Sequence, residues 1–163
     1  MSLGRLWAGW RSAYIEGVTA GEPDPCLLCA LAAADDDEGR IVAREPGAFA
    51  ALNAYPYTSG HLLVAPLRHV GELEALTADE TAAVMGTTQH ATAAVKAAYR
   101  PDGVNVGINL GRAAGAGVPG HLHLHVLPRW VGDTNFMTSV AEARVLPEAL
   151  DRSLERLRAA WPA

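Results

Sequence analysis

The chain has 163 residues, enough for one domain with a proper core. Hydrophobic residues make up 50% and charged residues 19%, with a formal net charge of −5. That balance is ordinary for a globular protein and excludes a broad basic surface for nucleic acid, so an anionic ligand must be held by a local site. No apolar run reaches the length of a membrane span, and Met1-Ser2-Leu3-Gly4-Arg5 lacks the apolar segment of a signal peptide. A cytoplasmic location with no membrane partner is the expectation.

In chain order, residues 1–23 form an N-terminal arm. Within it Leu6, Trp7, Trp10, Tyr14 and Ile15 are spaced for a short amphipathic helix or a packing arm over 5–16. The turn Gly21-Glu22-Pro23-Asp24-Pro25 leads into Cys26-Leu27-Leu28-Cys29, and a short helix is predicted over about 27–34. Asp35-Asp36-Asp37-Glu38-Gly39 reads as a solvated loop rather than a metal site. Strands are predicted at 41–44, 48–53 and 61–66, the last two joined by the turn formers of residues 54–60. Thr77-Ala78-Asp79-Glu80 is a capping box that opens a helix running to about Tyr99, before Pro101. Val104, Val106 and Ile108 alternate, which predicts a strand over 103–110. The glycine-rich segment 111–120 reads as a mobile loop, residues 121–128 as a strand. A last helix is predicted over about 147–161, with Leu150, Leu154, Leu157 and Trp161 on one face. There are no internal repeats. The reading is a single domain over 1–163: the arm 1–23, a core 24–140 and a C-terminal helical segment 141–163. The order β-β-β-α-β-β implies an α+β fold, with a five-stranded antiparallel sheet and helices packed against it.

The most informative stretch is His121-Leu122-His123-Leu124-His125-Val126-Leu127. Strict alternation sends three imidazoles to one face of a strand and the aliphatic residues to the other. Half of the six histidines fall in these five residues. Imidazole is the side chain whose charge and nucleophilicity sit nearest neutral pH, so the row reads as a catalytic or metal-binding edge.

His-x-His-x-His followed by two aliphatic residues resembles the signature of the histidine triad family of nucleotide hydrolases and transferases, a fold similar to galactose-1-phosphate uridylyltransferase. Asn53-Ala54-Tyr55-Pro56-Tyr57-Thr58-Ser59-Gly60-His61-Leu62-Leu63-Val64 resembles that family's other recurrent segment. The similarity runs over roughly residues 24 to 140. It implies a homodimer in which the long helix and a strand edge form the interface. It also implies that the middle histidine, His123, attacks an α-phosphate to give a nucleotidyl-histidine. The chemistry is sound on its own terms: one nitrogen of a neutral imidazole attacks while the other donates its hydrogen to a fixed acceptor. His125, about 7 Å along the strand, can contact a phosphoryl oxygen or the leaving oxygen. His121 positions the site or binds metal.

Phosphoryl transfer needs charge stabilisation, and the loop 111–120 is the expected supplier. Its glycines, Gly117 among them, let backbone amides approach phosphate oxygens. Arg112 and Arg129 are candidate cations. By resemblance, Asn53 contacts the ribose and Asn109 lies near the phosphates. Val118 departs from the phosphoramidate-cleaving branch, which carries a serine three residues before the triad. Val118 gives no proton to an amine leaving group, so polyphosphate substrates are favoured. Pro128-Arg129-Trp130, Gly132-Asp133-Thr134-Asn135-Phe136-Met137 and the tryptophan-rich start Leu6-Trp7-Ala8-Gly9-Trp10-Arg11 resemble the diadenosine tetraphosphate phosphorylase and hydrolase branch.

Cys26 and Cys29, with His69 and His121, compose a possible Cys₂His₂ set for a structural zinc. The same four positions match zinc ligands in the uridylyltransferase relatives and in several bacterial triad proteins. Reduced cysteines packed in the core, or a redox pair, are the alternatives. His61 reads as a structural or hydrogen-bonding residue. The expected function is cleavage of dinucleoside polyphosphates. A phosphoramidate hydrolase and a purine-nucleotide-binding module with little turnover are the rival readings. Water against phosphate as acceptor, and adenine against other bases, are left open.

Overall fold

The structure is a computed structural model that describes residues 26–133 and 148–162. The predicted N-terminal arm, the turn at 21–25 and the segment from Thr134 to Met137 lie outside the described residues. So does the start of the predicted last helix. Five strands, β1 (Ile41–Glu45), β2 (Ala48–Leu52), β3 (Leu62–Pro66), β4 (Gly103–Ile108) and β5 (Leu124–Arg129), form one sheet in the order β1-β2-β3-β5-β4. Every neighbouring pair is antiparallel. Among the described residues three α-helices accompany it: α1 (Leu27–Ala33), α2 (Ala78–Tyr99) and α3 (Leu150–Ala159). This is the expected five-stranded α+β architecture. No helix among the described residues is long and apolar enough to cross a membrane.

The sheet is covered on both faces, and residue parity decides which. Ala48, Ala50 and Leu52 of β2, Leu62 and Val64 of β3, and Leu124 and Val126 of β5 pack against Val84, Ala91 and Val95 of α2 and Leu154 and Leu157 of α3. Leu150 and Trp161 flank that cluster, as the predicted apolar face of the last helix requires. Phe49, Ala51 and Ala65 face the other way and pack with Ile41 and Leu28 of α1. β2 is therefore buried along its whole length, and its alanines let α2 lie close.

α2 starts as its sequence dictates. Thr77 accepts from the Glu80 amide at 3.2 Å, and Glu80 accepts from the Thr77 amide at 2.9 Å. The helix ends at Arg100, in the left-handed conformation, just before Pro101. The acidic loop is solvated as expected, with Asp35, Asp36, Asp37 and Glu38 all exposed, and it also receives two arginines. Arg44 joins Asp36 and the carbonyls of Ala32 and Ala34, and Arg158 joins Asp37 and the carbonyls of Asp36 and Ile41. The carboxylates thus dock two arginines that tie α1 and α3 to β1. The glycine-rich loop carries local order. It closes into a 3₁₀ turn at Arg112–Ala114, with the Ala114 and Ala116 amides both donating to the Gly111 carbonyl.

Gly60 closes the turn before β3 at φ +80°, and a Cβ there would lie 2.5 Å from the Tyr99 ring. Tyr99 is held by Glu148 at 2.7 Å and by Arg156 over its face, so it cannot easily yield. Gly60→Ala is expected to lower the unfolding free energy by about 2 kcal/mol, combining left-handed strain with overpacking. A urea titration with an unchanged m-value and a lower midpoint checks this.

Candidate active site and adjoining cysteine–histidine cluster

The triad straddles the start of β5. His121 and His123 lie in an extended lead-in, and the paired strand begins at Leu124. Leu63 pairs with His125, so His61, two residues earlier and just before β3, is a diagonal neighbour on the same face. β4 places Gly107 opposite His125 and so brings no side chain against it. The β4–β5 ladder ends at the Ile108–Leu124 pair, so Asn109 and His123 each lie one residue beyond the paired strands.

The hydrogen bonds assign the tautomers. His123 Nδ1 lies 2.8 Å from the His121 carbonyl, which can only accept, so Nδ1 carries the hydrogen and Nε2 keeps its lone pair. The Tyr57 amide donates to His61 Nδ1 at 3.1 Å, so a neutral His61 carries its hydrogen on Nε2. That Nε2–H donates to His125 Nδ1 at 2.9 Å, which puts the hydrogen of His125 on Nε2. Among the described residues, His125 Nε2 is buried and has no hydrogen-bond partner. A neutral nucleophilic nitrogen and an unpaired N–H donor therefore stand on adjacent rings, centroids 5.1 Å apart.

Burial keeps both rings neutral. Desolvation lowers the His123 pKa against the opposing effect of its bond to the His121 carbonyl. Desolvation, followed by proximity to His123, lowers that of His125 to about 4.

His121 also faces the cysteines. Its Nδ1 lies 3.6 Å from Cys26 Sγ and 3.5 Å from Cys29 Sγ, while His69 Nδ1 lies 3.3 Å from Cys29 Sγ. All four ligand atoms lie within 4.8 Å of one another. Tetrahedral zinc with ordinary Zn–S and Zn–N bonds sets sulfur and nitrogen about 3.6 Å apart, so the donor set has the right type and spacing. His121 Nε2 donates to the Pro66 carbonyl at 2.9 Å, which leaves Nδ1 as the lone-pair side. Cys26 caps α1 and Cys29 lies one turn on, so the Cys-x-x-Cys spacing brings both sulfurs to one side of the helix start.

Of the other predicted residues, Asn53 joins the cluster. Its Nδ2 is 3.2 Å from His61 Nδ1 and its Oδ1 accepts from the Tyr55 amide. Arg112 and Gly117 are exposed in the loop before the triad. Val118 packs against the apolar cluster beside Cys26 and Leu31. Arg129 sits about 13 Å along β5 from His125, with its guanidinium on Asp133 and Asn105. Sequence reasoning left His61 and Tyr57 out of the site. The Gly60-His61 dipeptide was visible, but only the β3–β5 pairing brings it beside the triad.

The HIT domain family matches residues 35–131. A Mycobacterium tuberculosis protein named AP-4-A phosphorylase is 42% identical over 98% of this chain and 85% of its own length. An Arabidopsis thaliana bifunctional bis(5′-adenosyl)-triphosphatase/adenylylsulfatase is 30% identical over 74% of this chain and 69% of its own. Among solved structures, a Zn-bound histidine triad family protein from Mycobacterium smegmatis superposes with a TM-score of 0.66. It is 29% identical and the match covers 83% of this chain and 91% of that one. The chain belongs to the histidine triad family.

Because the folded His125 pKa lies below the unfolded value of about 6.5, protonation favours the unfolded chain. The stabilising difference is fully present above about pH 6.5 and is lost as pH falls towards about 4. Denaturation midpoints should decline over that window. NMR should show His125 still neutral at pH 6, and a His125 titrating near 6.5 would contradict the assignment.

Proposed function

We propose that the protein cleaves dinucleoside polyphosphates, such as diadenosine tetraphosphate, through a nucleotidyl-histidine on His123. The observation that carries this is the His123 tautomer: Nδ1–H is spent on the His121 carbonyl, and Nε2 is left as the nucleophile beside an unpaired His125 N–H. In the first step the Nε2 lone pair forms a bond to an α-phosphorus. The bond from that phosphorus to its bridging oxygen breaks, and a nucleoside polyphosphate leaves with the electron pair. His125 Nε2–H stabilises the oxygen that leaves. In the second step an oxygen of water or of inorganic phosphate attacks the same phosphorus and the P–N bond breaks, restoring His123. Splitting one hard displacement into two is the gain of covalent catalysis.

The names of the M. tuberculosis and A. thaliana relatives support this substrate class. Asn53 is assigned to the ribose. Asn109, Arg112 and the amides around Gly117 and Val118 are assigned to phosphate oxygens. Val118 supplies no proton to an amine, which favours polyphosphates over phosphoramidates. Arg129 reaches a phosphate only by leaving Asp133. The homodimer is proposed too, on the resemblance and on the exposed Val106 of edge strand β4. The cysteine thiols suit a reducing cytoplasm.

Cys26, Cys29, His69 and His121 would hold a zinc ion. Bound there, zinc would act as a structural crosslink between α1 and the approach to the triad, with all four positions filled by protein. Elemental analysis is expected to find one zinc per chain. Chelation should lower the thermal midpoint, and zinc should be lost on acidification as the ligands take up protons. A stoichiometry far below one, with no stability change on chelation, would leave the cysteines as a packed, reduced pair.

His123→Ala is expected to lower turnover of diadenosine tetraphosphate by at least about a thousandfold while nucleotide still binds. Resolving the products with and without phosphate separates the acceptors. ADP plus ATP only with phosphate means phosphorolysis, and AMP plus ATP without it means hydrolysis. Turnover of His123→Ala within tenfold of the parent would sink the nucleophile assignment.

A further inference from the structure

Tyr57 touches the His61–His125 pair in two independent ways. Its backbone amide donates to His61 Nδ1 at 3.1 Å. Its ring lies over both imidazoles, tilted on His61 with centroids 4.7 Å apart and stacked nearly parallel to His125 at 5.8 Å and 20°. The turn that carries it is pinned at both ends, by the Asn53 side chain on the Tyr55 amide and by Gly60 against Tyr99. We propose that Tyr57 is a positioning residue for the reaction: its amide sets the tautomer of the His61–His125 relay, and its ring closes one face of His125, so that the imidazole presents a fixed, dry Nε2–H to the ligand. This rests on the phosphoryl-transfer reading above.

The physical case starts from the unpaired nitrogen. His125 is only 9% exposed, and among the described residues its Nε2 has no partner. A buried donor left unmade is unfavourable, so it is held there by its surroundings against the pull of water. The lead-in to its own strand supplies His123, the residue just before β3 is His61, and β4 supplies Gly107, which has no side chain. The ring of Tyr57 is the group that covers the flat face of His125. Without it, water reaches the imidazole, the ring gains rotational freedom and the charged form becomes easier to reach. A neutral, oriented N–H then gives way to a solvated and partly cationic one. That loss falls on the reacting geometry rather than on substrate capture, because the ring of Tyr57 stacks on His125, the group assigned to the leaving oxygen.

The test compares Tyr57→Ala, Tyr57→Leu and Tyr57→Phe. All three keep the backbone amide, so the ring is the variable. Leucine keeps apolar bulk without a flat face, which guards against simple collapse of the turn. ¹⁵N NMR of the imidazoles reads tautomer and titration in the ligand-free chain. Steady-state kinetics on diadenosine tetraphosphate read kcat and KM. In Tyr57→Ala and Tyr57→Leu, His125 is expected to titrate closer to its ordinary value, with kcat down by about tenfold or more and KM moved less than about threefold. Tyr57→Phe should recover most of that loss and the parent titration of His125. An unchanged His125 titration in the alanine and leucine variants overturns the proposal, as does a Tyr57→Phe variant as impaired as Tyr57→Ala. If the parent does not turn over diadenosine tetraphosphate at all, the substrate reading fails. The NMR comparison still decides the role of Tyr57.

Discussion

His121 is the residue on which the site depends. It is fully buried, and three of its polar atoms are committed in three directions. Nε2 is bonded to the Pro66 carbonyl, Nδ1 faces the two sulfurs, and the backbone carbonyl holds His123 Nδ1. A buried imidazole must satisfy both nitrogens, and here one is met by the end of β3 and the other by the cysteine cluster. Its carbonyl position then follows from its side chain. The metal-ligand set and the orientation of the candidate nucleophile are therefore not two features but one, joined through a single residue.

The helix that supplies the thiols could not hold them alone. α1 has seven residues, too short to persist by its own hydrogen bonds. Leu28 buries its face against Phe49 and Ile41, and Arg44 takes up the carbonyls of Ala32 and Ala34 that its C-terminus leaves open. Arg158 reaches from α3 to the same loop. The acidic run therefore contributes rigidity next to the metal-ligand cluster. Glu45 plays a matching role on the far side of β1, where it accepts from Thr87 and Trp161 and pairs with His90.

The chemistry is also a consequence of sheet parity. Even-numbered residues of β5 fill the core under α2, so the odd-numbered histidines have nowhere to go but the opposite face. On that face the start of β3 brings His61 and the turn before it brings Tyr57. The row of imidazoles is thus converted from a polar stripe into an ordered relay, whose direction is set by a backbone amide that can only donate.

Much of this was legible in the residues themselves, because it rests on local periodicity and local chemistry. Alternation marked β4 and β5, turn formers marked the hairpin of β2 and β3, the Thr77–Glu80 box marked the start of α2, and ligand type with Cys-x-x-Cys spacing grouped Cys26, Cys29, His69 and His121. The resemblance carried the identity of the triad. What the sequence could not decide depended on pairing between distant segments. Leu63 meets His125 across 62 positions, and nothing local to either strand specifies that meeting. The same holds for the arginines that claim the acidic loop from 8 and 121 residues away, and for Arg129, whose charge is taken by Asp133. Residue type and spacing say what a side chain can do. Only the tertiary structure determines which partner it meets, because burial, register and charge neutralisation are properties of the packed sheet and not of any one segment.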